Sequence, residues 1–204
     1  MKKAIFIFLM AFIIILTMAA FTSCGDSDNP ADDTKSGDSA NGDNESADET
    51  PPAPALLTPI GTLIGSEGGW SQDGAGNPET GRAAAFDGDV STFFDPPAGK
   101  DPAYYCGIKM DKPYILTEIR IHPRGDQLAR FNGASIWGTN DDAFDTATAT
   151  QIWVSGAAAD AAEWQVIPDG QFNGGANAGF THFIYFNEAE HGDVAEIELY
   201  GVPK

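Results

Sequence analysis

The stretch AAAFDGDVSTFFD, Ala83 to Asp95, packs carboxylates, hydroxyls and small apolar residues into one short run. Asp87 and Asp89 flank Gly88, and Ser91 and Thr92 follow. Two carboxylates this close repel one another, and both resist an apolar setting. A hard cation removes the repulsion, because it takes roughly six to eight oxygen ligands from carboxylates and carbonyls. The run DGDVST begins like an EF-hand, but that loop needs Gly at its sixth position and Glu at its twelfth. Thr92 and Ala98 stand there instead. The alternative is a plain Asp-Gly turn with both aspartates in solvent.

Other chemistry is thinly represented. The histidines His122, His182 and His191 do not fall in a metal-ligand spacing such as H-E-x-x-H, and no G-x-S-x-G elbow occurs. GGWSQDGAGNP is glycine-rich but lacks the Lys and Ser/Thr of a phosphate loop. The chain has 30 acidic residues, so a chance pair of carboxylates carries no weight as a glycosidase signature. Cys106 sits in AYYCGIK without a basic neighbour to lower its pKa, which suits a small buried hydrophobe better than a nucleophile. The expectation is a protein that is not an enzyme.

The elements that must position these residues are strands. From Leu56 to Lys204, short β-branched and aromatic runs alternate with Gly, Pro, Asn and Asp clusters. The pattern predicts strands near Tyr104–Lys109, Tyr114–His122, Ala134–Gly138, Gln151–Ser155, Trp164–Ile167, His182–Asn187 and Ala195–Tyr200. In TEIRIHPR, Ile119 and Ile121 share one face, with Arg120 and His122 on the other as solvated positions. In AEIELYG, Ile197 and Leu199 oppose Glu196 and Glu198. SGAAADAAEW has room for one helical turn at most. Many short strands with frequent turns argue an all-β sandwich or barrel.

AAAFDGDVSTFFD, then YYCGIKMDKPYILTEIRIHPR, GASIWGTND, FTHFIYF and HGDVAEIELYG, in that order from Arg82 to Gly201, resemble the discoidin or coagulation-factor type C domain. That group includes the family 32 carbohydrate-binding modules. The resemblance implies a galactose-binding-like jelly-roll β-sandwich of about eight antiparallel strands over residues 55–204. Phe93 and Phe94 replace the tryptophan usual after the threonine, and IKMDKP stands where DLG is common. The resemblance also implies a structural Ca²⁺ between the Asp87 loop and the last strand. Its ligands would be the side chain of Asp87, the carbonyls of Ala84, Asp89 and Ala195, the hydroxyl and carbonyl of Thr92, and the carboxylate of Glu196. A sugar site on loops at one end of the sandwich is implied as well, with Arg124 of the PR motif as its centre. Asp126, Arg130 and Asn132 add hydrogen-bonding groups, and Trp70 and Tyr104 are candidate stacking rings. Arg124 has a second reading, as a brace paired with an acidic neighbour.

The N-terminus opens with Lys2 and Lys3, runs apolar from Ala4 to Phe21, and reaches FTSC, which resembles a bacterial lipobox. Residues 1–23 then read as a lipoprotein signal peptide and Cys24 as the lipid-bearing residue. A plain membrane anchor is the alternative. The segment 24–54 reads as a disordered acidic tether: Gly25 to Pro54 holds nine acidic residues and one Lys. With Cys24 lipidated, Cys106 has no disulfide partner. A formal net charge of −19 disfavours nucleic acid and anionic headgroups as partners. The expected protein is a lipid-anchored module of the bacterial cell envelope, at the outer membrane or cell surface. It touches the membrane through its N-terminal lipid alone and captures glycan or glycoprotein. The alternative is a protein-interaction or structural adhesin on the same fold.

Overall fold

The computed structural model describes residues 52–97, 101–189 and 191–204. The stretch expected to be a signal peptide (1–23), the expected lipid-bearing Cys24 and nearly all of the expected tether lie outside the described residues.

Eight strands form, in chain order β1 (Ala55–Leu56), β2 (Thr62–Gly65), β3 (Cys106–His122), β4 (Ala134–Thr139), β5 (Thr150–Val154), β6 (Gln165–Pro168), β7 (Phe180–Asn187) and β8 (Glu196–Pro203). Every pairing between them is antiparallel. The hydrogen-bonded order is β1-β8-β3-β7-β4-β5, with β2 and β6 also paired to β3. The helical content of the described residues is five 3₁₀ turns, and SGAAADAAEW contains none of them.

β3 organises the fold. Cys106 to Lys109 pair with β2 on one side and β7 on the other. From Tyr114 the strand pairs with β8, and Glu118 to Ile121 add β6. One 17-residue strand therefore belongs first to one sheet and then to the other. The switch falls at Asp111–Pro113, where all three residues are exposed. The sequence splits this strand in two because Met110–Asp111–Lys112–Pro113 reads as a turn. A second irregularity lies between Leu116 and Glu118. It lets Leu116 and Ile119, three positions apart, both point inward, at 2% and 0% exposure.

The interior is apolar and shared by both sheets: Leu57, Ile108, Leu116, Ile119, Ile121, Ile136, Ile152, Phe183, Tyr185 and Ile197 pack together. Cys106 is buried there, and burial pushes its thiol well above the usual range, so it is an inert packing group. The expected alternation holds in β8, where Ile197 and Leu199 are buried. It needs one correction in β3. His122 is buried, not solvated, because the Trp164 ring covers it edge-to-face with centroids 5.5 Å apart. Arg120, half-exposed, lies over the Tyr200 ring and pairs with Glu118 at 2.6 Å.

Candidate functional site

The segment from Gly81 to Asp95 has little regular structure of its own. It is held by a 3₁₀ turn at Arg82–Ala85 and an isolated β-bridge between Phe94 and Val194. Phe94 N–H donates to the Val194 carbonyl (2.8 Å), and Val194 N–H returns the bond to Phe94 (3.1 Å). The bridge lays Thr92–Asp95 beside Asp193–Glu196.

On one side of the bridge is an oxygen cluster. Gly88, with φ of 81°, makes the tight turn that L residues adopt poorly. Asp89 N–H donates to Asp87 Oδ1 (2.8 Å), and Thr92 N–H to the Asp89 carbonyl (3.0 Å). Thr92 Oγ1 lies 3.3 Å from the Ala84 carbonyl, 2.9 and 3.1 Å from the two Asp87 oxygens and 2.8 Å from the Asp89 carbonyl. A hydroxyl has one proton. It can satisfy one of these four oxygens, so the others converge on one place without a donor from Thr92. Glu196 reaches the same loop from β8: its Oε2 accepts from Gly88 N–H at 3.0 Å, across 108 residues. Asp87 and Asp89 are exposed, whereas Glu196 is buried. Burial, with Asp87 nearby, pushes the Glu196 carboxyl from 4.5 to about 7. Ala195 follows the bridge directly, and its N–H donates to the His122 carbonyl (3.0 Å).

The donor set tests whether a cation fits. It holds oxygen only, two carboxylates with carbonyls and a hydroxyl, as a hard ion requires. Among the described residues no three His, Cys, Asp or Glu side chains form a metal-ligating group, so backbone carbonyls must supply the remainder. Asp89 contributes through its backbone; its carboxylate is occupied by Ser91 N–H (2.9 Å) and Ser91 Oγ (2.6 Å), which hold it below the usual range.

On the other side of the bridge is a network of opposite charges. Arg124 Nε donates to Asp126 (2.7 Å), and its Nη1 donates to Asp95 and Asp193, each at 2.9 Å. The guanidinium stacks on the Phe93 ring, 3.6 Å from its centroid. Arg130 Nη1 takes the second Asp193 oxygen at 2.8 Å. The Asp193 side chain is fully buried, and Arg124 is 13% exposed. Asp95 is raised by its own burial and by Asp193, against which Arg124 pulls it down. Trp70 joins this network through its backbone, donating to the Asp95 carbonyl at 2.7 Å.

Trp70, Asp95, Arg124, Gln127, Arg130 and His191 line a hollow of about 200 Å³. The Trp70 side chain stands out over it, the residue 54% exposed. Of the six residues expected for ligand binding, Trp70, Arg124 and Arg130 meet here. Asp126 braces Arg124. Asn132 lies outside the lining, where its carbonyl accepts from Asn187 Nδ2 (3.0 Å). Tyr104 borders a different hollow. Sequence reasoning missed Asp95, Gln127, His191 and Asp193. The one local signal was the acidic residue closing AAAFDGDVSTFFD; nothing in the sequence marked His191.

No protein-family model matches the chain, and no curated protein matches it. Solved structures do. The carbohydrate-binding module CBM62 of Clostridium thermocellum Xyl5A is 24% identical, covers 70% of this chain and 95% of its own, and superposes with a TM-score of 0.57. An F-type lectin (fucolectin) from striped bass, Morone saxatilis, serum is 13% identical, with a TM-score of 0.56; the match covers 72% of this chain and 47% of the lectin. The chain has the galactose-binding-like, discoidin-type jelly-roll fold.

Proposed function

We propose that this domain is a non-catalytic glycan-binding module whose site is the hollow between Trp70 and Arg130. The observation that carries the reading is an exposed indole beside a guanidinium that still has N–H groups to give. Among the described residues, Asp193 is the one hydrogen-bond partner of the Arg130 guanidinium. A sugar ring presents a C–H face to an aromatic ring and hydroxyls to fixed donors. Gln127 and His191 add an amide and an imidazole at the rim. Arg124, held by three carboxylates and a ring, has the role of a brace that fixes Asp95 and Asp193. That two fold neighbours are by name a carbohydrate-binding module and a fucolectin supports the reading.

Calcium belongs to the same proposal. Ala84, Asp87, Asp89, Thr92, Ala195 and Glu196 would hold the ion. Its positive charge would offset Asp87 and Glu196 and tie the first part of the domain to the last. Cys24 would carry the lipid that presents the module at the cell envelope. Mass spectrometry of the mature chain should find a lipid-modified Cys24 at its start; an unprocessed N-terminus defeats the anchor.

A glycan array probed with the purified chain tests binding. At least one glycan should bind, and Trp70→Ala and Arg130→Ala should each lower its affinity about tenfold or more while the fold is kept. Binding of no glycan would overturn the reading in favour of a protein-interaction role.

A further inference from the structure

The hollow at Trp70 is small. Pockets that bury a small-molecule ligand span roughly 300–1,000 Å³, and this one offers about 200 Å³. A second hollow of about 530 Å³ lies on the other side of the same loop, lined by Gly65, Ser66, Gly68, Gly69, Ser71 and Tyr104 among others. Gly69 and Ser71 line the larger hollow, and Trp70 between them lines the smaller. One segment of chain therefore borders both, with the Trp70 side chain turned to the smaller.

The loop is built to keep that shape. Gly69 and Asn77 exchange backbone hydrogen bonds at 2.6 and 3.0 Å, and Ser71 Oγ accepts from Gly76 N–H at 2.8 Å. A Cβ on Gly69 would come within 2.2 Å of the Thr80 carbonyl, so only glycine fits there. Arg82 pins the near end, donating to the Gly65 carbonyl (2.6 Å) and to Glu67 (3.2 Å). The lining is thus largely bare backbone, which a ligand can approach closely.

Its chemistry is neutral. Glu67 is the one charged side chain among the described lining residues, and Arg82 pairs with it at 3.2 Å. Among the described lining residues there is no cation to hold an acidic group. Ser66 Oγ is buried with no hydrogen-bond partner among the described residues. Such an atom is uncommon in a folded protein. Closed off by its neighbours, it belongs to the wall of the hollow and is not a contact offered to a ligand. Tyr104 brings an aromatic ring to the rim.

We infer that the module takes a neutral oligosaccharide of at least two units, one ring against Trp70 and Arg130 and the next in the glycine-lined hollow beside Tyr104. This rests on the glycan-binding reading and deepens it. Calorimetric titration of the full chain with neutral monosaccharides (galactose, fucose, glucose and N-acetylgalactosamine) and with disaccharides built from them tests it. The best disaccharide should bind at least tenfold tighter than its best monosaccharide. Tyr104→Ala should erase that advantage and leave the monosaccharide unaffected, whereas Trp70→Ala weakens both. Ala75→Trp, at an exposed position of the same lining, should act like Tyr104→Ala by filling the hollow. That variant keeps the test open should Tyr104→Ala fail to fold. Disaccharides no tighter than monosaccharides overturn the inference, as does an undiminished advantage in folded Tyr104→Ala or Ala75→Trp. Wild-type protein that binds none of these sugars and nothing on the glycan array removes the glycan-binding reading itself, a different and recognisable failure.

Discussion

The two sides of the Phe94–Val194 bridge treat charge in opposite ways. On the Arg124 side, Asp95, Asp126 and Asp193 meet two guanidiniums, and a buried carboxylate has a partner for each oxygen. On the Glu196 side, two carboxylates and several carbonyls converge with one hydroxyl proton and the backbone N–H groups of Gly88, Asp89 and Thr92 among them. Two residues separate Asp193 from Glu196, and two separate Thr92 from Asp95. The same pair of segments thus carries a site whose carboxylates are paired with guanidiniums and a site whose carboxylates, among the described residues, have no cation beside them. On the proposed reading the first would hold a neutral ligand in fixed geometry and the second an ion.

The difference is sharpest at Arg124. Its removal leaves Asp95 and the fully buried Asp193 facing each other without their shared cation. Breaking a buried pair in this way costs about 3–5 kcal/mol. Arg124→Met should therefore lower stability by about 3 kcal/mol in denaturant titration. Arg130→Met, which strips one oxygen of the buried Asp193 but leaves it Arg124, should cost less, about 1–2 kcal/mol. Glycan affinity should fall more for Arg130→Met than stability does. Equal stability losses in the two variants would sink the division of labour between brace and contact.

How much of this was legible in the sequence depends on how local each feature is. Strands β4 to β8 announce themselves, because their apolar alternation or β-branched content lies within a few residues. β1 and β2 escape, being two and four residues long with partly exposed side chains. β3 reads as two strands, since Pro113 and two charged neighbours mark a turn that the pairing across both sheets overrides. The Asp87–Gly88–Asp89 turn is visible because an aspartate bonding the backbone two residues on is a local device. That Glu196 faces away from Ile197 could be read from alternation; that it meets Gly88 rested on the family resemblance. The hollow was the least legible part. Phe93, Asp95, Arg124, Arg130 and Asp193 come from three separated segments, and an arginine's partners are a tertiary property that no spacing encodes.

The oxygen cluster gives the gentler test of the comparison. A ligand bound by the folded state alone stabilises by RT ln(1 + [L]/Kd), about 2.7 kcal/mol at a hundredfold excess. For a domain of roughly 150 residues that raises Tm by about 5–10 °C. Chelator should lower Tm, Ca²⁺ should restore it, and Asp87→Ala should be indifferent to both. The pH dependence then identifies the carboxylate involved. Without metal, Glu196 has a folded pKa of about 7 against an ordinary 4.5. The folded state therefore binds more protons than the unfolded one between these values, and its stability falls as pH rises from about 4.5 to about 7. Calcium needs the same carboxylate ionised, so protons compete with it below about 7. The Tm gain from a fixed Ca²⁺ concentration should be smaller at acid pH than at pH above 7 and level off beyond it. Glu196→Gln retains an oxygen for Gly88 N–H but cannot titrate; its residual Ca²⁺ response should lose this pH dependence. A wild-type response as large in mild acid as in mild alkali would mean that Glu196 does not ligate the ion, even if chelation by itself still lowered Tm.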